Sequence, residues 1–217
     1  MASRTVGLFV PGFGAPARAY APELPAGWTA LEPPVFRHVR GSFEAYRTWL
    51  RAEIAATHES VVLAGHSMGG ALSMLAALDA PERLRGVVLF SPAGLPLIKP
   101  MRVSAAQFAG QVATRRFPAR HSGTALAAAA RAPRSALRVA HAVRRLDLQP
   151  EMRRFAVPRV PADVVGCMTD TLVMAGHCRQ AAALLGARYR ELPLEGGHMW
   201  MFRGPWRLAR ELAASAS

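Results

Sequence analysis

The chain has 217 residues, 51% hydrophobic and 19% charged, the balance of an ordinary globular domain long enough for one sizeable core. Its 27 Lys and Arg against 14 Asp and Glu give a net charge of +13. No stretch reaches the roughly 20 apolar residues of a transmembrane helix, and the apolar run at residues 6–10 is too short for a secretory signal, so a cytoplasmic protein is expected.

In chain order, residues 6–10 end at Pro11-Gly12-Phe13-Gly14, the pattern of a buried strand entering a tight loop. Another strand is expected over residues 28–31, before Pro33-Pro34. From Ser42, a candidate N-cap, Phe43, Tyr46, Leu50 and Ile54 recur at helical spacing, with Arg47, Arg51 and Glu53 between them. Val61-Val62-Leu63-Ala64 is apolar throughout, as strands covered on both faces are. Residues 65–70 turn it into a helix over 72–78, and after a turn at 81–86 Val87-Val88-Leu89-Phe90 reads as the next strand. This alternation predicts an α/β fold built on a mostly parallel sheet with helices on both faces.

Strand signals stop after Ser91-Pro92. Residues 92–160 are rich in Ala and Arg, with helical patterns near 105–114, 124–131 and 135–146. They read as a helical insertion into a core formed by residues 1–91 and 161–217, one domain overall. Alternation resumes with a strand at 163–167, a helix over 176–185, a strand at 188–194 and a last helix after Pro205. The charge follows this division. Residues 91–160 hold 13 of the 27 basic residues but only Asp147 and Glu151 of the acids, a net +11. Cys167 and Cys178 stand outside any CxxC or CxxH pattern, which favours reduced structural thiols and suggests no zinc.

Gly65-His66-Ser67-Met68-Gly69 has the form G-x-S-x-G, set between an apolar strand and a helix. There the glycines tolerate a sharp turn that projects the serine hydroxyl, and the following helix directs amides toward an oxyanion. Ser67 is the expected nucleophile and Met68 N–H an oxyanion donor. A serine hydroxyl needs a base, and the base an orienting carboxylate. His198, after a strand end and Gly196-Gly197, is the expected base; His66, beside the nucleophile, is expected to point elsewhere. Asp170, just past the strand at 163–167, is the expected acid, while Asp163 starts that strand at the wrong edge. Phe13 N–H, in the loop after the first strand, is the second candidate oxyanion donor.

With these residues in place the chain resembles the α/β-hydrolase superfamily from about Val6 to Phe202, the insertion excepted. The resemblance rests on Gly65-His66-Ser67-Met68-Gly69-Gly70, on Ala80-Pro81-Glu82-Arg83-Leu84-Arg85-Gly86-Val87-Val88-Leu89, and on Gly197-His198. Relatives usually carry His-Gly where this chain has Pro11-Gly12, and most begin with an extra β-hairpin, so a shortened version is implied. The resemblance implies a serine hydrolase acting on an ester or thioester of a small-molecule acyl substrate, without cofactor or metal. The same triad in this family also serves acyl transfer, carbon–carbon hydrolysis and elimination, so a tailoring enzyme stays open, as does a non-catalytic binding module.

In that family the insertion is a lid that shapes the acyl pocket. Phe108, Phe117, Leu126, Leu137, Val143, Leu146 and Phe155 are its candidate apolar lining; Phe108, Arg134, Arg138, Leu137 and Met199 are the candidate substrate-binding residues. Its arginines read as a solvated helical face. Alternatively Arg134, Arg138, Arg144, Arg145, Arg153 and Arg154 receive a coenzyme A thioester or an acidic acyl carrier protein. A third reading is contact with an anionic membrane surface through the stripe Ala136, Leu137, Ala140, Val143 and Leu146. Few aromatics and no binding motif argue against nucleic acid.

Overall fold

The computed structural model describes residues 5–97, 99–113, 119–155, 160–192 and 197–202. In chain order the elements are β1 (Thr5–Val10), α1 (Ala17–Tyr20), β2 (Trp28–Ala30), α2 (Phe36–Val39), α3 (Phe43–Ala56), β3 (Ser60–His66), α4 (Met68–Asp79) and β4 (Leu84–Phe90). Four helices follow, α5 (Met101–Ala113), α6 (Ala119–Arg131), α7 (Pro133–Arg145) and α8 (Gln149–Phe155). The chain then re-enters the sheet with β5 (Ala162–Cys167), α9 (Ala175–Leu185) and β6 (Arg188–Leu192), and a short 3₁₀ segment spans Gly197–Phe202.

The six strands form one sheet in the order β2-β1-β3-β4-β5-β6, every neighbouring pair parallel. The chain moves outward from β1 to β2, then returns to lay β3 on the other side of β1. The loops leaving β1 and β3 therefore diverge, and the carboxyl ends of these two strands open a crevice, the place where parallel sheets of this kind take ligands.

Successive side chains on a strand point to opposite faces. Leu8 and Val10, Val61 and Leu63, Val87 and Leu89 enter the larger core cluster with α3, α4, α8 and α9. Phe9, Ala64, Val88, Phe90, Val165 and Cys167 face the other way, onto Tyr20 and Trp200. Both faces are covered, which is why these strands carry no polar alternation. The buried face of α4 runs without a break from Met68 to Ala77, and Ser73 within it donates its hydroxyl back to the Gly69 carbonyl at 2.8 Å. As its sequence predicts, α3 is capped by Ser42, whose Oγ accepts from Ala45 N–H at 3.3 Å, and it buries Tyr46, Leu50 and Ile54.

Three helices were not expected from sequence. The first two, α1 and α2, have four residues each, too few to display a period. The third, α8, carries Pro150 and the pair Arg153-Arg154, yet Pro150 lies in the first turn, where its missing N–H costs nothing, and Met152 and Phe155 are buried. The end of the strand predicted at 188–194 and the helix predicted after Pro205 fall outside the described residues. Among the described residues, no helix is long and apolar enough to cross a membrane.

Candidate active site

Ser67 sits between the last residue of β3 and the first of α4 with φ 54° and ψ −116°, a conformation non-glycine residues rarely hold. The turn is fixed by its own main chain. Ser67 N–H donates to the Phe90 carbonyl at 2.9 Å, and the Ser67 carbonyl accepts from Ala71 N–H at 3.2 Å and Ala93 N–H at 2.9 Å. A side chain on Gly65 would come within 2.3 Å of the Gly69 carbonyl oxygen, and one on Gly69 within 2.1 Å of the Val10 carbonyl oxygen. The G-x-S-x-G spacing is thus a steric requirement, set by β3, β1 and α4 meeting at one point. Met68 is the first residue of α4, so its N–H belongs to the helix turn whose amides have no intrahelical acceptor and whose dipole is positive.

Asp170 lies just beyond the carboxyl end of β5, and His198 in the 3₁₀ segment that follows β6 in the chain. Nδ1 of His198 lies 2.8 Å from Asp170 Oδ2, and both residues are buried. The other oxygen, Asp170 Oδ1, accepts from the N–H groups of Leu172 and Val173, each at 2.9 Å. The carboxylate is held on both sides, and because it can only accept, it fixes the Nδ1–H tautomer on His198. The segment carrying His198 is pinned in turn: Gly197 N–H donates to Thr169 Oγ1 at 3.3 Å, and Trp200 Nε1–H to Ser91 Oγ at 3.2 Å. Asp163 instead pairs with Arg188 at 2.6 Å and Arg190 at 3.4 Å. Both cysteines are buried thiols outside any disulfide. Burial, followed by the nearby Asp170 charge, pushes the Cys178 thiol up to about 12, so it is a packing group and not a thiolate.

A cavity of about 590 Å³ opens over this site. Ser67 and His198 share its wall with Gly12 and Phe13 of the loop after β1, with Leu172 and Val173 beside Asp170, and with Leu126, Ala140 and Val143 of the helices between β4 and β5. The lining is overwhelmingly apolar. Of the substrate-binding candidates, Met199 lines it, whereas Arg134, Leu137 and Arg138 do not, and all three are exposed. The reason is the rotation of α7. Ala136, Val139, Ala140 and Val143, spaced i, i+3, i+4, i+7, face inward, which leaves residues 134, 137 and 138 on the opposite side. Leu146 and Phe155 pack into the core, and the side chains of Phe108 and Phe117 lie outside the described residues. Arg144 reaches the cavity wall and donates to the Lys99 carbonyl. Sequence patterning also gave no sign that Tyr20 and His66 belong to the cavity wall, where they are bonded to each other at 3.0 Å.

A six-stranded parallel sheet with flanking helices, a serine elbow after a central strand and its partner loops at the carboxyl edge define an α/β-hydrolase. Residues 43–188, more than half of the chain, match the hydrolase family described as serine aminopeptidase, S33, and the chain belongs to that family. The match takes in Ser67 and Asp170 and stops short of His198. Solved structures agree at the level of fold. A lipase-esterase related protein from Clostridium acetobutylicum is 14% identical with a TM-score of 0.74, covering 98% of this chain and 95% of that one. A hydrolase from Pseudomonas aeruginosa is 20% identical with a TM-score of 0.72, covering 97% and 89%. The type II thioesterase BorB from the borrelidin biosynthetic cluster is 16% identical with a TM-score of 0.72, covering 100% and 94%. No curated protein matches the chain.

Proposed function

We propose that the protein is a serine hydrolase that cleaves an ester or thioester through an acyl-enzyme on Ser67, with His198 as base and Asp170 as its orienting acid. The observation that carries this reading is the buried His198–Asp170 pair, 2.8 Å apart, with His198 on the same apolar cavity as the elbow serine. In this mechanism His198 Nε2 takes the proton of Ser67 Oγ as the oxygen attacks the acyl carbonyl carbon. Asp170 stabilises the imidazolium that forms. The carbonyl oxygen gains negative charge and is met by the N–H groups of Met68 and Phe13. Collapse expels the alcohol or thiol, which leaves with the proton from His198. Water, deprotonated by His198, then attacks the acyl-enzyme and frees the acid and Ser67.

The helices between β4 and β5 act as the lid in this reading, and their apolar contribution to the cavity suits an acyl group without charge near the carbonyl. The thioester alternative draws on the exposed arginines of that lid and on the fold shared with a type II thioesterase. The test is a fluorophosphonate probe, which forms a stable adduct on an activated serine. Wild type is expected to label and Ser67→Ala to stay unlabelled; an unreactive wild type, or equal labelling of the variant, overturns the hydrolase reading.

A further inference from the structure

His66 is buried beside the candidate nucleophile, and its two ring nitrogens are both engaged. Nε2 lies 3.1 Å from the main-chain carbonyl oxygen of His198, and Nδ1 lies 3.0 Å from the Tyr20 hydroxyl. A carbonyl can only accept, so Nε2 carries the proton. Burial above all, and then the nearby His198, holds this imidazole well below the usual histidine range, so the ring is neutral and Nδ1 is a bare acceptor. Tyr20 therefore donates to Nδ1. Its phenol, kept protonated by burial, accepts in turn from Gly12 N–H at 3.4 Å.

Each end of this chain of hydrogen bonds touches a different part of the candidate machinery. Gly12 immediately precedes Phe13, whose N–H is the second candidate oxyanion donor. The His198 carbonyl belongs to the residue that serves as base. The middle of the chain is the residue bonded to Ser67. The Tyr20 and His66 rings lie 6.2 Å apart and the His66 and His198 rings 4.6 Å apart, so the network is packed as well as bonded. Each of the three hydrogen bonds then has a defined direction, which ties Gly12, Tyr20, His66 and His198 into one continuous chain.

We infer that Tyr20 and His66 are positioning residues: a buried strut, running from Gly12 N–H through Tyr20 and His66 to the His198 carbonyl, that sets the separation of oxyanion loop and base across Ser67. The strut rests on the hydrolase reading above and goes beyond it. Both side chains border the cavity beside Ser67, and the role assigned to them is to hold the oxyanion loop and the base in place, so that loss of either lowers turnover of correctly folded sites.

The measurement is kcat per active site on p-nitrophenyl butyrate, with active sites counted by fluorophosphonate titration so that misfolded protein drops out. His66→Leu, which keeps volume but neither hydrogen bond, is expected to lower kcat per site by about 10- to 100-fold, the upper figure being the cost of a misplacement near 1 Å. KM should stay within about threefold. His66→Gln, which keeps an N–H for the His198 carbonyl, is expected to recover most of that loss. Tyr20→Phe is the milder variant, expected to fold and to lower kcat per site several-fold. Wild-type kcat per site in both His66→Leu and Tyr20→Phe, whatever their stability, overturns the strut while leaving the hydrolase reading intact. An unlabelled, inactive wild type overturns the hydrolase reading, and the strut's catalytic meaning falls with it.

Discussion

At Ser67 a positive φ is held by three main-chain hydrogen bonds and by two glycines that admit no side chain. Strain of this kind costs on the order of 1–3 kcal/mol and persists where the surroundings over-determine it. Asp170 is over-determined in the same sense, accepting from Leu172, Val173 and His198. Asp170→Asn keeps the shape but can turn an N–H toward His198 Nδ1, reversing the tautomer that the carboxylate imposes. The expected loss in kcat is about 10⁴-fold, as for a serine triad with the wrong tautomer, with KM little changed. Steady-state kinetics on a neutral ester checks this; a loss below tenfold removes Asp170 from the mechanism. The places of Ser67 and the candidate acid Asp170 are legible in sequence because the apolar strands β3 and β5 stop just before them, whereas the candidate base His198 follows the polar strand Arg188–Leu192 and is marked by the glycine pair Gly196-Gly197 instead. Tyr20 is not legible, since it stands on a four-residue helix whose meaning comes from what it meets 46 residues later.

Among the elements, the strands read well because runs such as Val61-Val62-Leu63-Ala64 are apolar on both faces and bounded by glycine or proline, while α7 read less well. Alanines at 136 and 140 and Val143 define a stripe that either Leu137 or Val139 could complete. Charge decides between them. Arg134, Arg138 and Arg145 follow each other at i, i+4 and i+11 on the side of Leu137, so burying Leu137 would drag guanidinium groups from water. Val139 is accordingly fully buried and Leu137 62% exposed. The inward face then sets what the cavity accepts. Ala140→Leu, placed on that wall, is expected to shorten the preferred acyl chain. Displacing two methylenes from an apolar site at about 0.8 kcal/mol each costs a long-chain ester a little over tenfold in kcat/KM. A p-nitrophenyl ester series from acetate to decanoate checks it, with the acetate expected to change less than threefold; an unaltered chain-length profile would show that the acyl group lies elsewhere.

Over the whole molecule the charge is lopsided, with +11 of the +13 in residues 91–160. Arg102, Arg131, Arg134, Arg138, Arg145, Arg153 and Arg154 are all exposed and none of these seven lines the cavity, whereas Arg144 reaches its wall. The effect of the exposed charge is then one of long-range attraction, acting on whatever approaches and fading with salt. A neutral ester feels no such field, whereas a coenzyme A thioester carries several negative charges on its leaving group. For the thioester, kcat/KM is expected to fall at least tenfold as salt rises from about 0.01 M to about 1 M, where the screening length contracts from about 30 Å to about 3 Å. The neutral p-nitrophenyl ester should keep its rate over the same range. Exchanging Arg134 and Arg138 together for Gln should flatten the thioester's salt response without altering the neutral ester, because neither side chain borders the cavity. Equal salt responses for the two substrates would mean that the basic surface is only a solvated face, and would leave an uncharged ester as the substrate class the apolar cavity fits.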